Sequence, residues 1–254
     1  MTTLTTPLVS ITTASIYQNK PLPARMAKCT PDMAAALGAI IEDLRQLGHE
    51  LRLSDLFRSY DMQKQSHLDY KEGRKKAYSP PPGGSMHEAG RAMDIDLASI
   101  GVTLSRFWEI AAAHGFMPII DAPVSSRSEA WHFDCRGSHD AVYTYAKSGK
   151  AGADTSPYRQ MAMSAILAIG VPLDTVPDQE AAFVQAALIR LGFDPGRIDG
   201  IIGDRTRAAL AEAGVTSTAT PAAVSALCQQ LQARFPLEYP SDPAGAAAPA
   251  GAHA

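Results

Sequence analysis

The sequence predicts an α+β domain, a small antiparallel sheet with flanking helices, followed by a small all-helical domain. Three observations carry this. Up to residue 147, helical stretches alternate with short strand-like runs joined by hairpin-like connections, which favours α+β over a doubly wound sheet. Beyond residue 157 only helical periodicity recurs. Between them, residues 148–156 (GKAGADTSP) are small, polar and turn-rich, as a linker is. The expected organisation is therefore 1–147, a linker at 148–156, a helical domain at 157–240, and a low-complexity tail at 241–254 with the composition of a disordered segment. At 254 residues and 46% hydrophobic composition the chain can bury one substantial core and a smaller second one.

The elements follow in order. Thr30, Pro31 and Asp32 open a helix, because the hydroxyl can cap free amides and proline is harmless in the first turn. It runs through MAAALGAIIEDLRQL and ends near Gly48. LRLSDLF reads as a strand that delivers Arg58, Ser59 and Tyr60 at its far end, and a short polar helix follows over 61–72. Residues 79–84 (SPPPGG) join rigid prolines to permissive glycines and predict an ordered loop. A helix near LSRFWEIAAAHG ends at Gly115, and FMPII and EAWHFD read as two more strands.

Twenty-three basic against 26 acidic residues leave a net charge of −3 with no block of like charge, which argues against binding nucleic acid or an anionic membrane surface. The first twenty residues show no basic lead, no apolar stretch of signal-peptide length and no membrane-spanning run, so by itself the sequence reads as cytoplasmic. Cys29, Cys135 and Cys228 include no Cys-x-x-Cys pair, and an odd count argues against a disulfide framework. A Cys29–Cys135 bridge stays open beside the plainer reading of three reduced, partly buried thiols.

The chemistry concentrates in two segments. From Ala92 onward, Met93, Ile95 and Leu97 alternate with Ala92, Asp94 and Asp96, the period of a strand with two unlike faces. Two carboxylates side by side repel unless a cation or donor sits nearby. His87 precedes them across Gly90, which can fold the chain back, so His87 and Asp94 can reach a common point. In the second segment Trp131 and Phe133 form the apolar face and His132 projects from the other. Two histidines and one aspartate give three protein ligands and leave the fourth zinc position to water, as in catalytic sites; bound zinc lowers the pKa of that water to about 7. Glu129 is the natural general base, provided that it sits in the loop before the strand and does not face the core. His49, His67, His114, His139 and His253 read as surface or capping groups, His114 as a helix C-terminal residue favoured by the dipole. Asp96 reads equally as structural or as a support for the ligands, and Trp108 as core.

Ser85, His87, Gly90, Ala92 and Asp94 fit S-x-H-x-x-G-x-A-x-D, and Glu129, Trp131 and His132 fit E-x-W-H. Together these resemble the VanY-type D-alanyl-D-alanine carboxypeptidases, a group of LAS zinc peptidases that includes vancomycin-resistance dipeptidases and phage L-alanyl-D-glutamate endopeptidases and shares its fold with hedgehog domains. Phe57, Arg58, Ser59, Tyr60 and Gln63 are similar to the family's Y-R-S-x-x-x-Q element, with Phe57 where relatives usually carry tyrosine. The resemblance covers roughly residues 20 to 140. It implies one zinc ion held by His87, Asp94 and His132, with Glu129 as catalytic base. Arg58 would stabilise the oxyanion, and Ser85, Ser59, Tyr60 and Gln63 would contact substrate. The plainer reading of Arg58 is a surface cation.

Residues 184–210 resemble the three-helix peptidoglycan-binding domain of wall hydrolases, on a helix ending at Leu191-Gly192-Phe193, then Asp199-Gly200, Gly203, Thr206 and Ala209. DPG and DGIIG are tight turns, and Asp204 with Thr206 can cap the next helix. Relatives continue into an aromatic-glutamine pair, whereas here Ala211-Glu212-Ala213-Gly214 interrupts and a new helix starts near Pro221; a module that merely packs on the enzyme is the plainer alternative. The expected protein is a monomeric zinc peptidase acting on peptidoglycan stem peptides in the cell envelope or after secretion or lysin-like release, with no nucleic acid partner and no membrane insertion. Removal of terminal D-alanine leads, ahead of an L-alanyl-D-glutamate-type endopeptidase and of a non-enzymatic wall-binding or hedgehog-like zinc protein.

Overall fold

The computed structural model describes residues 5–17, 20–217 and 219–240. The expected disordered tail at 241–254, with His253, lies outside the described residues. The chain forms two compact units, one built mainly from Pro7–Ser79 and His87–Gly137, the other mainly from Pro80–Met86 and Ser138–Tyr239.

The first unit is α+β with a small antiparallel sheet, as the sequence predicts. A two-stranded ribbon, β1 (Val9–Ser10) and β2 (Lys28–Cys29), precedes helix α1 (Pro31–Gln46). The main sheet contains β3 (Leu53–Asp55), β4 (Ala92–Ile95), β5 (Phe116–Pro118) and β6 (His132–Cys135) in the order β3–β4–β6–β5, every pair antiparallel. Helices α2 (Tyr60–Lys71) and α3 (Leu104–Ala113) complete it. Met33, Leu37, Ile40 and Leu44 recur at helical spacing and give α1 one buried stripe. Met93, Ile95 and Phe133 supply the apolar sheet face, where Phe133 meets Phe107 of α3 edge-on at 5.0 Å between ring centres.

Local details depart from expectation for identifiable reasons. Thr30 stands at the N-cap of α1 but its hydroxyl does not cap; it accepts from Arg91 Nη1 at 3.0 Å. β3 keeps only three residues of the LRLSDLF run. Strand β4 stops at Ile95, so Asp96 does not share its face with Asp94. The Asp96 carboxylate instead closes a turn by accepting from the Ala98 amide at 3.2 Å, which settles it as structural. Ser59 caps α2 through the Met62 amide, and Thr103 caps α3 through the Arg106 amide. His114 does end α3, and its Nε2 lies 2.7 Å from the Asp43 carboxylate. All three cysteines are buried thiols outside any disulfide, so Cys29 and Cys135 are not bridged.

The second unit is all-helical, with α4 (Asp140–Lys147), α5 (Pro157–Ala168), α6 (Gln179–Leu191), α7 (Asp204–Glu212) and α8 (Thr220–Arg234). Helix α6 is buried on every side and forms its centre, with α8, α5 and α4 packed against it. Asp178 caps it through the Ala181 amide, and Gly192 ends it in the left-handed conformation. The Gln185 side chain holds the turn that follows, accepting from the amides of Asp199 and Gly200 at 2.9 Å each and donating to the Ile201 carbonyl at 3.0 Å. Helix α7 is not capped as expected: Gly203 occupies its N-cap, Asp204 lies in its first turn, and the Thr206 hydroxyl donates to the Pro195 carbonyl. Among the described residues no helix is long and apolar enough to cross a membrane.

Candidate metal centre

Three buried side chains from two separate segments of the sequence converge on the polar face of the sheet. Asp94 on β4 pairs directly with His132 on β6, and Ala92 pairs with Asp134. Side chains alternate along a strand, so Asp94, His132 and Asp134 share one face while Met93 and Phe133 share the other. His87 enters from a 3₁₀ turn, Met86–Ala89, just ahead of β4. Gly90, at φ +63°, lets the chain reverse between turn and strand. One ligand atom from each of His87, Asp94 and His132 lies within 4.8 Å of the other two.

The hydrogen bonds fix which atoms face the shared centre. His87 Nδ1 lies 2.7 Å from the Leu56 carbonyl, an acceptor, so that nitrogen carries the proton and Nε2 faces Asp94 Oδ1 at 3.2 Å. His132 Nε2 donates to Asp134 Oδ1 at 2.9 Å, leaving Nδ1 at 2.9 Å from the same Asp94 oxygen. Two ring nitrogens and a carboxylate oxygen thus converge where only a proton or a cation reconciles them. The donor set and the outer acceptors on each imidazole suit a zinc-type ion. Burial alone would lower the His132 pKa, but Asp134 and Asp94 outweigh it and raise it to about 10. Burial would likewise raise Asp94, yet His87 and His132 hold it well below the ordinary carboxylate range.

Glu129 lies in the turn before β6 and not inside the strand. It is the one non-glycine among the described residues with positive φ, at 68°, a conformation that costs an L-residue about 1–2 kcal/mol. Its carbonyl accepts the His132 amide at 3.0 Å, and its buried Oε1 has no hydrogen-bond partner among the described residues. Burial pushes its carboxyl up, aided by Asp94 and opposed by His132, Lys75 and Arg58.

Arg58 is a fixed cation and not a loose surface one. Its Nε meets Asp55 Oδ2 at 2.5 Å, Nη1 meets Gln63 Oε1 at 3.2 Å and Nη2 meets Asp94 Oδ2 at 3.3 Å, while its amide bonds to the His87 carbonyl. A register shift in β3 sets Asp55 opposite Asp94, so one guanidinium spans both. The other expected substrate contacts divide. Tyr60 and Ser59 are exposed at the start of α2, Ser59 as its cap. Gln63 is fully buried, with its amide shared between Arg58 and Ser79, so it positions Arg58 from beneath. Ser85 is buried in the 80–86 segment, which groups with the helical unit.

Sequence reasoning missed Asp134, the Leu56 carbonyl and Lys75. The His-Phe-Asp alternation on β6 was enough to find Asp134; a backbone oxygen carries no mark in the sequence, and Lys75 joins the hydrogen-bond chain behind Arg58 only through the turn after α2.

Family comparisons agree with this architecture. Residues 26–118 match VanY, D-alanyl-D-alanine carboxypeptidase, and residues 177–213 match a peptidoglycan binding domain. The stretch from β2 to β5 is thus similar to the VanY carboxypeptidase family, and the stretch around α6 and α7 to a peptidoglycan-binding module; His87 and Asp94 lie inside the first matched span, Glu129 and His132 beyond it. No curated protein matches the chain. Among solved structures, the LdcB LD-carboxypeptidase is 24% identical over 50% of this chain and 66% of its own, with a TM-score of 0.40. DacB from Streptococcus pneumoniae is 26% identical over 48% of this chain and 72% of its own, TM-score 0.35. A second DacB structure, described as an L,D-carboxypeptidase, is 21% identical over 51% and 84%, TM-score 0.34.

Proposed function

We propose that this protein is a zinc-dependent carboxypeptidase that removes terminal D-alanine from peptidoglycan stem peptides. The observation that carries the reading is the buried His87–Asp94–His132 cluster with the Glu129 carboxylate beside it. Zinc held by two imidazoles and a carboxylate supplies a Lewis acid and a water acidified to near neutrality. Glu129 takes the proton of the attacking water as its oxygen bonds to the scissile carbonyl carbon. When the C–N bond breaks, the same carboxyl returns that proton to the leaving amine. Arg58, held by Asp55, Gln63 and Asp94, is a preorganised cation for the negative charge that develops on the carbonyl oxygen. Tyr60, Ser59 and Ser85 remain the candidate substrate contacts, with Gln63 reassigned to holding Arg58.

The helical unit would retain the enzyme on its polymer. A groove of about 510 Å³ lined by Gln185, Arg197, Asp199, Asp204 and Arg205 is its candidate contact surface. The setting is accordingly the cell envelope.

Digestion of defined muropeptides with and without chelator, read by mass spectrometry, tests the reading. Chelator-sensitive loss of one alanine from a pentapeptide stem is expected. A cut after L-alanine would replace it with the endopeptidase reading, and the absence of any chelator-sensitive product would leave only a wall-binding zinc protein.

A further inference from the structure

A carboxypeptidase must tell a chain end from an internal residue, and the end is marked by its free carboxylate. Arg58 is the obvious cation for that group, but three of its five N–H donors are held by Asp55, Gln63 and Asp94, and the proposed mechanism uses the rest on the carbonyl oxygen. A second cation lies on the same hydrogen-bond network. Gln63 and Ser66 stand three residues apart on one face of α2. Gly73, at φ +76°, reverses the chain after the helix, and the Lys75 amide bonds back to the Asp69 carbonyl at 3.0 Å. This carries the Lys75 ammonium to Ser66 Oγ at 2.9 Å. Ser66 Oγ accepts from Ser79 at 3.0 Å, Ser79 accepts from Gln63 at 3.1 Å, and Gln63 accepts from Arg58. A continuous side-chain path thus leads from Lys75 to the Asp94 carboxylate.

Lys75 is half-buried, yet among the described residues no carboxylate lies within ion-pair distance of its ammonium, which donates to Ser66. Burial and then the Arg58 charge both disfavour its charged form, while Asp94, Glu129 and Asp55 act the other way. A half-buried ammonium with spare donors and no anionic partner is unfavourable until an anion arrives.

We propose that Lys75 binds the free C-terminal carboxylate of the peptide substrate and so selects chain ends over internal bonds. This rests on the carboxypeptidase reading, and its test separates the two. The full-length zinc-loaded chain carrying Glu129→Gln, which blocks turnover, is titrated calorimetrically with a stem pentapeptide ending in D-alanyl-D-alanine and with its C-terminal amide. A charged hydrogen bond predicts that the acid binds about 10- to 100-fold tighter than the amide. Adding Lys75→Met should abolish that preference by weakening the acid and leaving the amide nearly unchanged, whereas Lys75→Arg should retain most of it. In the catalytically intact chain, Lys75→Met should raise KM for the acid more than it lowers kcat. Persistence of the acid preference in Lys75→Met, equal binding of acid and amide without it, or an equal loss on both ligands would each overturn the assignment. Failure of the intact chain to release alanine strikes the peptidase reading instead, because the affinity comparison needs no turnover.

Discussion

Glu129 joins two costs at one position: a left-handed backbone at a residue with a side chain, and a buried carboxylate oxygen with no hydrogen-bond partner among the described residues. Such strain persists only where the surroundings over-determine it, and it concentrates at functional sites. Backbone and side chain can be separated by substitution. Glu129→Gln keeps the shape and removes the base, so kcat should fall by about 10²- to 10⁴-fold with one zinc still bound per chain. A variant that retained near-normal turnover would end the general-base role. Glu129→Gly and Glu129→Ala both lack the carboxylate, but glycine adopts positive φ freely, so the glycine form should be about 1 kcal/mol more stable in denaturant titration. Equal midpoints would mean that the turn stores no strain. Asp134 acts one step further out, by accepting from His132 Nε2 at 2.9 Å. Asp134→Asn should weaken zinc binding by about 10- to 100-fold in competition with a chromophoric chelator; unchanged affinity would reduce Asp134 to a packing role.

At the scale of elements, the site depends on how the 3₁₀ turn hands over to β4. Gly90 stands at that junction, donating to the His87 carbonyl at 3.1 Å and accepting from the Thr30 amide at 3.1 Å. A Cβ there would meet Leu8 Cδ2 at 2.7 Å and the Cys29 Cα at 3.1 Å, on a backbone of positive φ. Leu8 can swing aside, but the Cys29 backbone cannot. Gly90→Ala should therefore destabilise the unit by about 1–3 kcal/mol and weaken metal binding, because the turn sets the His87–Asp94 spacing; a native denaturation midpoint would refute this. Elements of this kind were legible where periodicity recorded them. The alternation of Met93 and Phe133 with Asp94 and His132 gave the two sheet faces, and the Thr30-Pro31-Asp32 start with the Gly48 stop gave α1. The two-residue strands β1 and β2 were not legible, being too short to show a period. Helix α4 was missed, its run lying where the reading passed directly into a linker. Asp96 was misplaced because alternation continues in the sequence past the point where the Asp96 carboxylate and carbonyl accept the Ala98 and Ser99 amides and turn the chain out of the strand. Gln63 looked like a substrate contact because a motif carries identity without depth, and only packing reveals that its amide is fully buried.

At the scale of the whole molecule, each unit has its own apolar core, and the helical one also has a buried ionic fastening. Arg190 on α6 meets Glu238 at 2.5 Å, with Ser138 and Tyr239 bonded to the same guanidinium, and the Ser138 amide also donates to Glu238. Ser138 and Glu238 are 100 positions apart, so the cluster ties the two ends of that unit's main segment together. Removing one partner of such a buried pair strands the other charge, which costs about 3–5 kcal/mol. The candidate metal ligands lie in the other unit, and an ion that binds only the folded form stabilises by RT ln(1 + [L]/Kd), about 2.7 kcal/mol at a hundredfold excess over Kd. Two perturbations therefore address two cores. In scanning calorimetry, Glu238→Gln should lower the transition of the helical unit and leave the zinc-dependent shift of the α+β unit intact, while chelator should lower the α+β transition in both forms. One transition displaced equally by the substitution and by the chelator would mean that the two cores unfold as a single cooperative body.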